Sequence, residues 1–233
     1  MTQSKVLVTG ANGFIATHVI DRLLANGNEV VGTGRKEEKL SYLLNLFKKR
    51  YPEGKLQFEK TSDISKLDAF DDALKNHPDI KYVAHIASPV TPDTKDFDAQ
   101  KDFIIPAVNG VLGLFNGIKK YGPQIEKVTM VSSSAACMQF LPQNADVVYN
   151  ETTWSDIFAE MVTNDIPQLG YAYSKKAAEE AAWDFVKNEK PNFKLTTVLP
   201  PMVIGPQVFN ELVKDKVDGS NEHVFGFFDK KEA

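Results

Sequence analysis

The 233-residue chain has one cysteine, Cys137, so no intramolecular disulfide can form and a thiolate zinc site is out of reach. It lacks any apolar run near the roughly 18 residues that a membrane helix needs. It also lacks a basic excess: 27 Lys and Arg face 31 Asp and Glu, and the formal net charge of -4 offers no general attraction to nucleic acid or anionic membrane. The four histidines, His18, His77, His85 and His223, show no ligand spacing, and are read as buried or surface side chains. No G-x-S-x-G elbow, Walker sequence or pair of catalytic carboxylates stands out, nor does an internal repeat or low-complexity run. These absences predict no metal, no nucleic-acid partner and no membrane. The first strand begins within five residues of Met1, leaving no room for a signal peptide, and a reducing, cytoplasmic setting is the expectation.

What remains is ordinary in bulk and specific in detail. A hydrophobic content of 42% and a charged content of 25% suit a water-soluble globular protein, and the length suits one sizeable α/β lobe. The informative stretch is Lys5-Val6-Leu7-Val8-Thr9-Gly10-Ala11-Asn12-Gly13-Phe14-Ile15-Ala16. A short apolar run ends in two glycines three apart and passes into His18 to Leu24, where apolar residues recur at helical spacing. Strand, tight turn and helix in that order suit a nucleotide pyrophosphate. Gly10 permits the sharp turn, Gly13 lets backbone approach the phosphates, Ala16 allows the helix to pack on its strand, and the first helical N–H groups face the anion. A plain strand-to-helix loop is the alternative.

Further on, Ala25-Asn26-Gly27 closes the first helix and Glu29 to Thr33 reads as a second strand, completing a βαβ unit. The first charged side chain beyond that strand is Arg35, with Lys39 one helical turn later. A guanidinium there suits the extra phosphate of NADP, where an acidic residue would suit NAD; solvated surface charge is the other reading. An amphipathic helix over Glu37 to Lys49 carries Leu40, Leu43, Leu44 and Phe47 on one side. A third strand, Leu56 to Glu59, leads to Asp63, which either accepts from an adenine amino group or caps a helix beginning near Leu67. Lys81 to Ser88 reads as a central parallel strand and Lys101 to Tyr121 as a helix that Pro106 kinks or starts late. Lys127 to Val131 delivers Ser132, Ser133 and Ser134 to the same edge. An irregular section from Gln139 to Leu169 precedes a helix over Tyr171 to Asn188, and Lys194 to Leu199 is a sixth strand.

Tyr171 and Lys175 stand four apart on that helix and share a face. An ammonium beside a phenol stabilises the phenolate; lowering the phenol by about three pH units amounts to roughly 4 kcal/mol and suits it to exchange a proton with a carbonyl oxygen. Tyr173 has Ala177 at the corresponding place and lacks the lysine. Ser133 suits a hydrogen bond to the same carbonyl, although three adjacent serines leave open which one faces it, and a hydroxyl that only satisfies its own loop is the alternative.

These segments resemble the extended short-chain dehydrogenase/reductases, specifically the fungal NADPH-dependent methylglyoxal and aldehyde reductases and the dihydroflavonol reductase-like enzymes. The likeness rests on Thr9 to Ala16, Asp63 to Phe70, Ala87-Ser88-Pro89, Ile105 to Gly110, Ser174-Lys175-Lys176 and Gly205-Pro206-Gln207, and spans about Lys5 to Phe209. It implies a Rossmann-type doubly wound parallel sheet, a Ser133, Tyr171 and Lys175 triad, and cofactor contacts at Gly10, Ala11, Asn12, Gly13, Phe14, Ile15, Arg35, Lys39, Asp63, Ile64, Tyr171, Lys175 and Val203. It further implies NADPH as hydride donor and a small aldehyde or ketone as substrate. Residues 1–209 are then the cofactor-binding and catalytic unit. Residues 210–233, charged and carrying Phe225, Phe227 and Phe228, do not resemble the family's substrate lobe, which is expected to be largely missing. A relative that binds NADP with little catalysis is the rival expectation, and a nucleotide-sugar epimerase or dehydratase a third.

Overall fold

Among the described residues six short strands, each following an apolar or β-branched run, come together as one parallel sheet in the order β3-β2-β1-β4-β5-β6. The computed structural model describes residues 3–89, 96–140, 147–213 and 220–222. The strands are β1 (Lys5–Val8), β2 (Glu29–Gly34), β3 (Leu56–Lys60), β4 (Ile80–His85), β5 (Lys127–Val131) and β6 (Lys194–Val198). Between them run α1 (Phe14–Ala25), α2 (Glu37–Arg50), α3 (Asp71–Asn76), α4 (Ile105–Tyr121) and α5 (Pro167–Glu189). Strand order reverses between β1 and β4, so the two crossovers diverge and leave a crevice at the carboxyl ends of those strands.

The pleat sorts β1 between two cores. Val6 and Val8 face α1 and α2 with Ile20, Leu43 and Phe47, while Leu7 faces the opposite layer with Leu114, Phe115 and Phe185. Both faces are covered, which is why the central strands read as continuous apolar runs without polar alternation. Each fully buried Leu, Ile or Phe contributes about 1.5–3 kcal/mol relative to exposure.

Two helix starts differ from expectation. No helix begins near Leu67, which is exposed; α3 starts at Asp71. Residues 63–70 form successive tight turns, with Lys66 N donating to Asp63 O at 3.1 Å and Ala69 N to Lys66 O at 3.2 Å. Helix α4 captures this loop: Asn109 Nδ2 donates to Ser65 O at 2.7 Å, and Gly113 leaves room where a Cβ would stand 2.8 Å from the Leu67 carbonyl oxygen. The second difference is α5, which starts at Pro167 and not at Tyr171. Proline at a helix start needs no amide partner and has its φ preset, so Tyr171 stands one turn inside the helix. Smaller differences concern β4, which ends at His85 and not at Ser88, and the approach to α4, where a π-helical turn over Gln100–Ile104 precedes Pro106 in the first turn of α4.

Candidate active site

The glycine turn is built as its sequence suggested. Gly10 has φ +67°, a region that residues with a Cβ resist, and an added Cβ would stand 3.0 Å from the Ala87 Cα, two residues beyond β4. Gly13 N donates to Gly10 O at 2.8 Å and buried Ala11 donates from its amide to Thr33 O at 2.8 Å, so the turn is tied to β2. Asn12 and Gly13 are exposed, Phe14 and Ile15 half-buried. Gly13 occupies the cap position of α1 without a side-chain cap bond, so no side chain competes for the helix's first N–H groups.

Thr9 and His85 fasten this turn to β4. Thr9 Oγ1 accepts from Ile86 N at 2.9 Å and from Ala87 N at 3.0 Å, which uses both of its lone pairs. Its one proton therefore goes to His85 Nδ1, 2.9 Å away, and His85 carries its own proton on Nε2. Complete burial, reinforced by the nearby charge of Lys175, pushes His85 down to about 3, so it is neutral. The expectation of a buried structural histidine holds, and its neighbours connect the glycine turn to α5.

Ser132, Ser133 and Ser134 follow β5 and are held beside the end of β6 by Ser132 N to Val198 O at 2.9 Å and Ser134 N to Pro200 O at 3.0 Å. The three serines separate in space. The Ser132 hydroxyl is buried with no hydrogen-bond partner among the described residues, and Ser134 opens a short 3-10 turn over Ser134–Ala136. Ser133 Oγ accepts from Ala135 N at 3.2 Å and donates toward the Tyr171 phenol. Lys175 Nζ lies 5.5 Å from the centroid of the Tyr171 ring. The hydroxyl, the phenol and the ammonium thus meet above the carboxyl ends of β4 and β5.

The electrostatics of this meeting differ from expectation. Burial pushes the Tyr171 phenol up, and the Ser133 hydrogen bond only partly offsets that. Lys175, buried beneath the site, is pushed down to about 8 by desolvation. With the Lys175 ammonium 5.5 Å from the ring centroid, burial outweighs the lowering that the Tyr-Lys spacing alone suggested, and the phenol keeps its proton. The arrangement holds a neutral phenol next to a cation, which is a proton donor whose product anion is stabilised.

The remaining predicted residues divide by side. Arg35 and Lys39 are exposed beyond β2, and Arg35 is near enough to help lower the Asp63 carboxyl. The main cause of that lowering is the Ser65 amide, which donates to Asp63 Oδ1 at 2.9 Å. Asp63 therefore closes a local turn and caps no helix. Ile64 packs against Gly110 of α4, and Val203 is half-buried after β6. Next, Phe209 buries its ring 4.8 Å from that of Phe47, and His18 Nε2 donates to Pro206 O at 3.0 Å, so the segment after β6 reaches the start of α1. His223, Phe225, Phe227 and Phe228 lie outside the described residues. Among the described residues no group of three metal-ligating side chains occurs, and no helix is long and apolar enough to cross a membrane. Recesses of about 160 Å³, near Gly122 and Phe193, and about 410 Å³, near Gly27 and Tyr51, lie at the amino ends of the strands, opposite this edge.

A family model described as NAD dependent epimerase/dehydratase matches residues 6–223. The chain belongs to that family. Within it, the chain is 42% identical over 224 residues to the NADPH-dependent methylglyoxal reductase GRE2 of Saccharomyces cerevisiae, covering 94% of this chain and 64% of that protein. Aldehyde reductase 2 of Sporidiobolus salmonicolor is 35% identical over 208 residues, covering 87% and 58%. Among solved structures, yeast methylglyoxal/isovaleraldehyde reductase Gre2 complexed with NADPH superposes with a TM-score of 0.88 at 40% identity, covering 95% of this chain and 65% of that one. The Candida albicans Gre2–NADPH complex gives 0.89 at 36% identity, covering 97% and 66%. The chain therefore spans slightly less than two thirds of GRE2 and of the Gre2 structure it resembles. The extended reductase resemblance and the doubly wound parallel sheet are both upheld.

Proposed function

We propose that this chain carries the cofactor site and the proton-donating site of an NADPH-dependent carbonyl reductase acting on small aldehydes or ketones. The observation that carries the reading is the convergence of Ser133, Tyr171 and Lys175 beside the glycine turn, with Arg35 exposed on the same edge beyond β2. The residues present fit a phosphorylated dinucleotide: Gly10 has no Cβ to obstruct backbone approach, the start of α1 is free of a side-chain cap, and Arg35 and Lys39 supply cationic side chains. Asp63 and Ile64 border the adenine side, and Val203 with Ala87 the nicotinamide side. When bound, NADPH supplies hydride to the substrate carbonyl carbon.

The protein's own contribution is proton delivery. Tyr171, held neutral by burial, gives its proton to the carbonyl oxygen as negative charge gathers there, and Ser133 donates a hydrogen bond to the same oxygen. Lys175, still largely protonated at pH 7, stabilises the phenolate that results. A phenol with a raised pKa is the proton donor that reduction needs, whereas alcohol oxidation would require the phenolate as base.

Residues 1–209 form the working unit in this reading, with 210–233 outside the catalytic machinery. Free Cys137 and the acidic balance support a reducing cytoplasmic location without nucleic-acid partners. Mixing the protein with NADPH and methylglyoxal or a short aldehyde, and following the absorbance of the reduced nicotinamide, tests the proposal. The wild type turns over, and Tyr171→Phe loses about a thousandfold in kcat while calorimetry finds unchanged NADPH binding. Folded wild type that binds NADPH without turnover would overturn the enzyme reading in favour of a binding module.

A further inference from the structure

Lysine follows lysine on α5, and the second one, Lys176, is as deeply buried as the first, at 7% exposed against 6%. Buried ammonium groups are costly unless their hydrogen bonds are met. Lys176 Nζ donates to Ser155 O at 2.7 Å and to Ile157 O at 3.0 Å, and lies 4.5 Å from the centroid of the Phe158 ring. Burial pushes the neighbouring Glu180 carboxyl up, and the Lys176 charge offsets part of that rise. An ammonium spent on two main-chain carbonyls fixes backbone, here a stretch belonging to neither sheet nor helix.

That stretch touches the site from the other side. Ser155 N donates to Ala136 O at 2.8 Å, and Ala136 N donates to Ser133 O at 2.9 Å. Ser155 Oγ accepts from Ile157 N at 3.2 Å, which stiffens the stretch itself. Ile157, fully buried, shares a small cluster with Ala135 and Ala172, and Tyr171 packs against that cluster. An unbroken path of short bonds thus runs from the Ser133 backbone through Ala136 and Ser155 to an ammonium on the helix that carries Tyr171.

We propose that Lys176 is a positioning residue: by holding the Ser155 and Ile157 carbonyls to α5, it sets the separation between the Ser133 hydroxyl and the Tyr171 phenol. This inference rests on the reductase reading for its kinetic consequence, whereas its spectroscopic one, the Tyr171 titration, is read without turnover. An apolar side chain of similar length would fill the space yet leave two buried carbonyls unpartnered, and the 155–157 stretch would turn toward water. Ser133 would then shift from the phenol, and misplacement near 1 Å costs about a hundredfold in rate.

The test compares K176M and K176R with the wild type in kcat, KM, NADPH dissociation constant and Tyr171 ionisation. The last is followed by difference absorbance against Tyr171→Phe. K176M is expected to lose about a hundredfold in kcat with KM and NADPH affinity within about twofold of wild type, and K176R to recover most of the loss. Because the Ser133 bond pulls the phenol down, Tyr171 in K176M should ionise at higher pH than in wild type. A purely structural lysine would lower stability and leave kcat per NADPH-binding molecule, and the phenol titration, unmoved; that result overturns the inference. Should K176M not fold, K176Q, which retains an amide donor, is read instead, with the phenol again expected to move upward. Inactive wild type overturns the reductase reading, and the phenol titration still decides the role of Lys176.

Discussion

The β1–β3 half of the sheet and the β4–β6 half end on the same edge with opposite chemistry. On the first half the carboxyl ends are backbone: a glycine turn, an uncapped helix start, and two cations, Arg35 and Lys39, left in water. On the second half, α5 buries Lys175, Lys176 and Glu179 within about one helical turn, and one Glu179 carboxylate oxygen has no hydrogen-bond partner among the described residues. Exposed charge and free N–H groups cost little to maintain and suit an anion of any detailed shape. Buried ionisable groups cost stability, and what they supply in return is a shifted acidity at a fixed place.

The sharpest way to break that contrast is at Lys175. Its pKa falls from 10.5 to about 8 on folding, which corresponds to about 3 kcal/mol of destabilisation near neutral pH. Below pH 8 both states carry the proton and the cost is fully present. Between about 8 and 10.5 the unfolded chain holds the proton and the folded one does not, so stability rises with pH across that window. Lys175→Met should therefore raise stability to denaturant at pH 7 by about 3 kcal/mol, abolish turnover, and flatten stability above pH 8.

A smaller effect is expected on the other half. Gly10→Ala forces a side chain into positive φ beside the Ala87 backbone and should cost about 2 kcal/mol in unfolding experiments, with weakened NADPH binding by calorimetry. Arg35→Ala, in water, should leave stability unchanged and lower the preference for NADPH over NADH about tenfold, or 1.4 kcal/mol. If Arg35→Ala destabilised the fold as much as Gly10→Ala, or Lys175→Met destabilised it at all, the division between a solvated half and a desolvated half would be wrong.

Much of the scaffold was legible because its signals are local. The apolar runs of β1 and β5, Asn26-Gly27 after α1 and the Leu40, Leu43 and Phe47 face of α2 each depend on residues a few positions apart, and their boundaries hold within about a residue. The helix start expected near Leu67 falls at Asp71, because α4, more than forty residues away in sequence, bonds the Ser65 carbonyl and packs closely on that of Leu67. Pro167, in the section that reads as irregular, carries a helix-start signal, and α5 begins there, one turn before Tyr171. Among the serines, no local feature distinguished Ser133; only the position of α5 does.

The residue types at the site, and the order of the elements that carry them, belong to the sequence, since a glycine turn between strand and helix and a Tyr-Lys pair four apart are properties of neighbouring residues. The acid strengths belong to the tertiary structure. Desolvation depends on what lies over a side chain and not on what lies beside it in the chain, so the raised phenol, the depressed Lys175 and the buried bonds of Lys176 exist only once α5 has closed against β4, β5 and the 155–157 stretch.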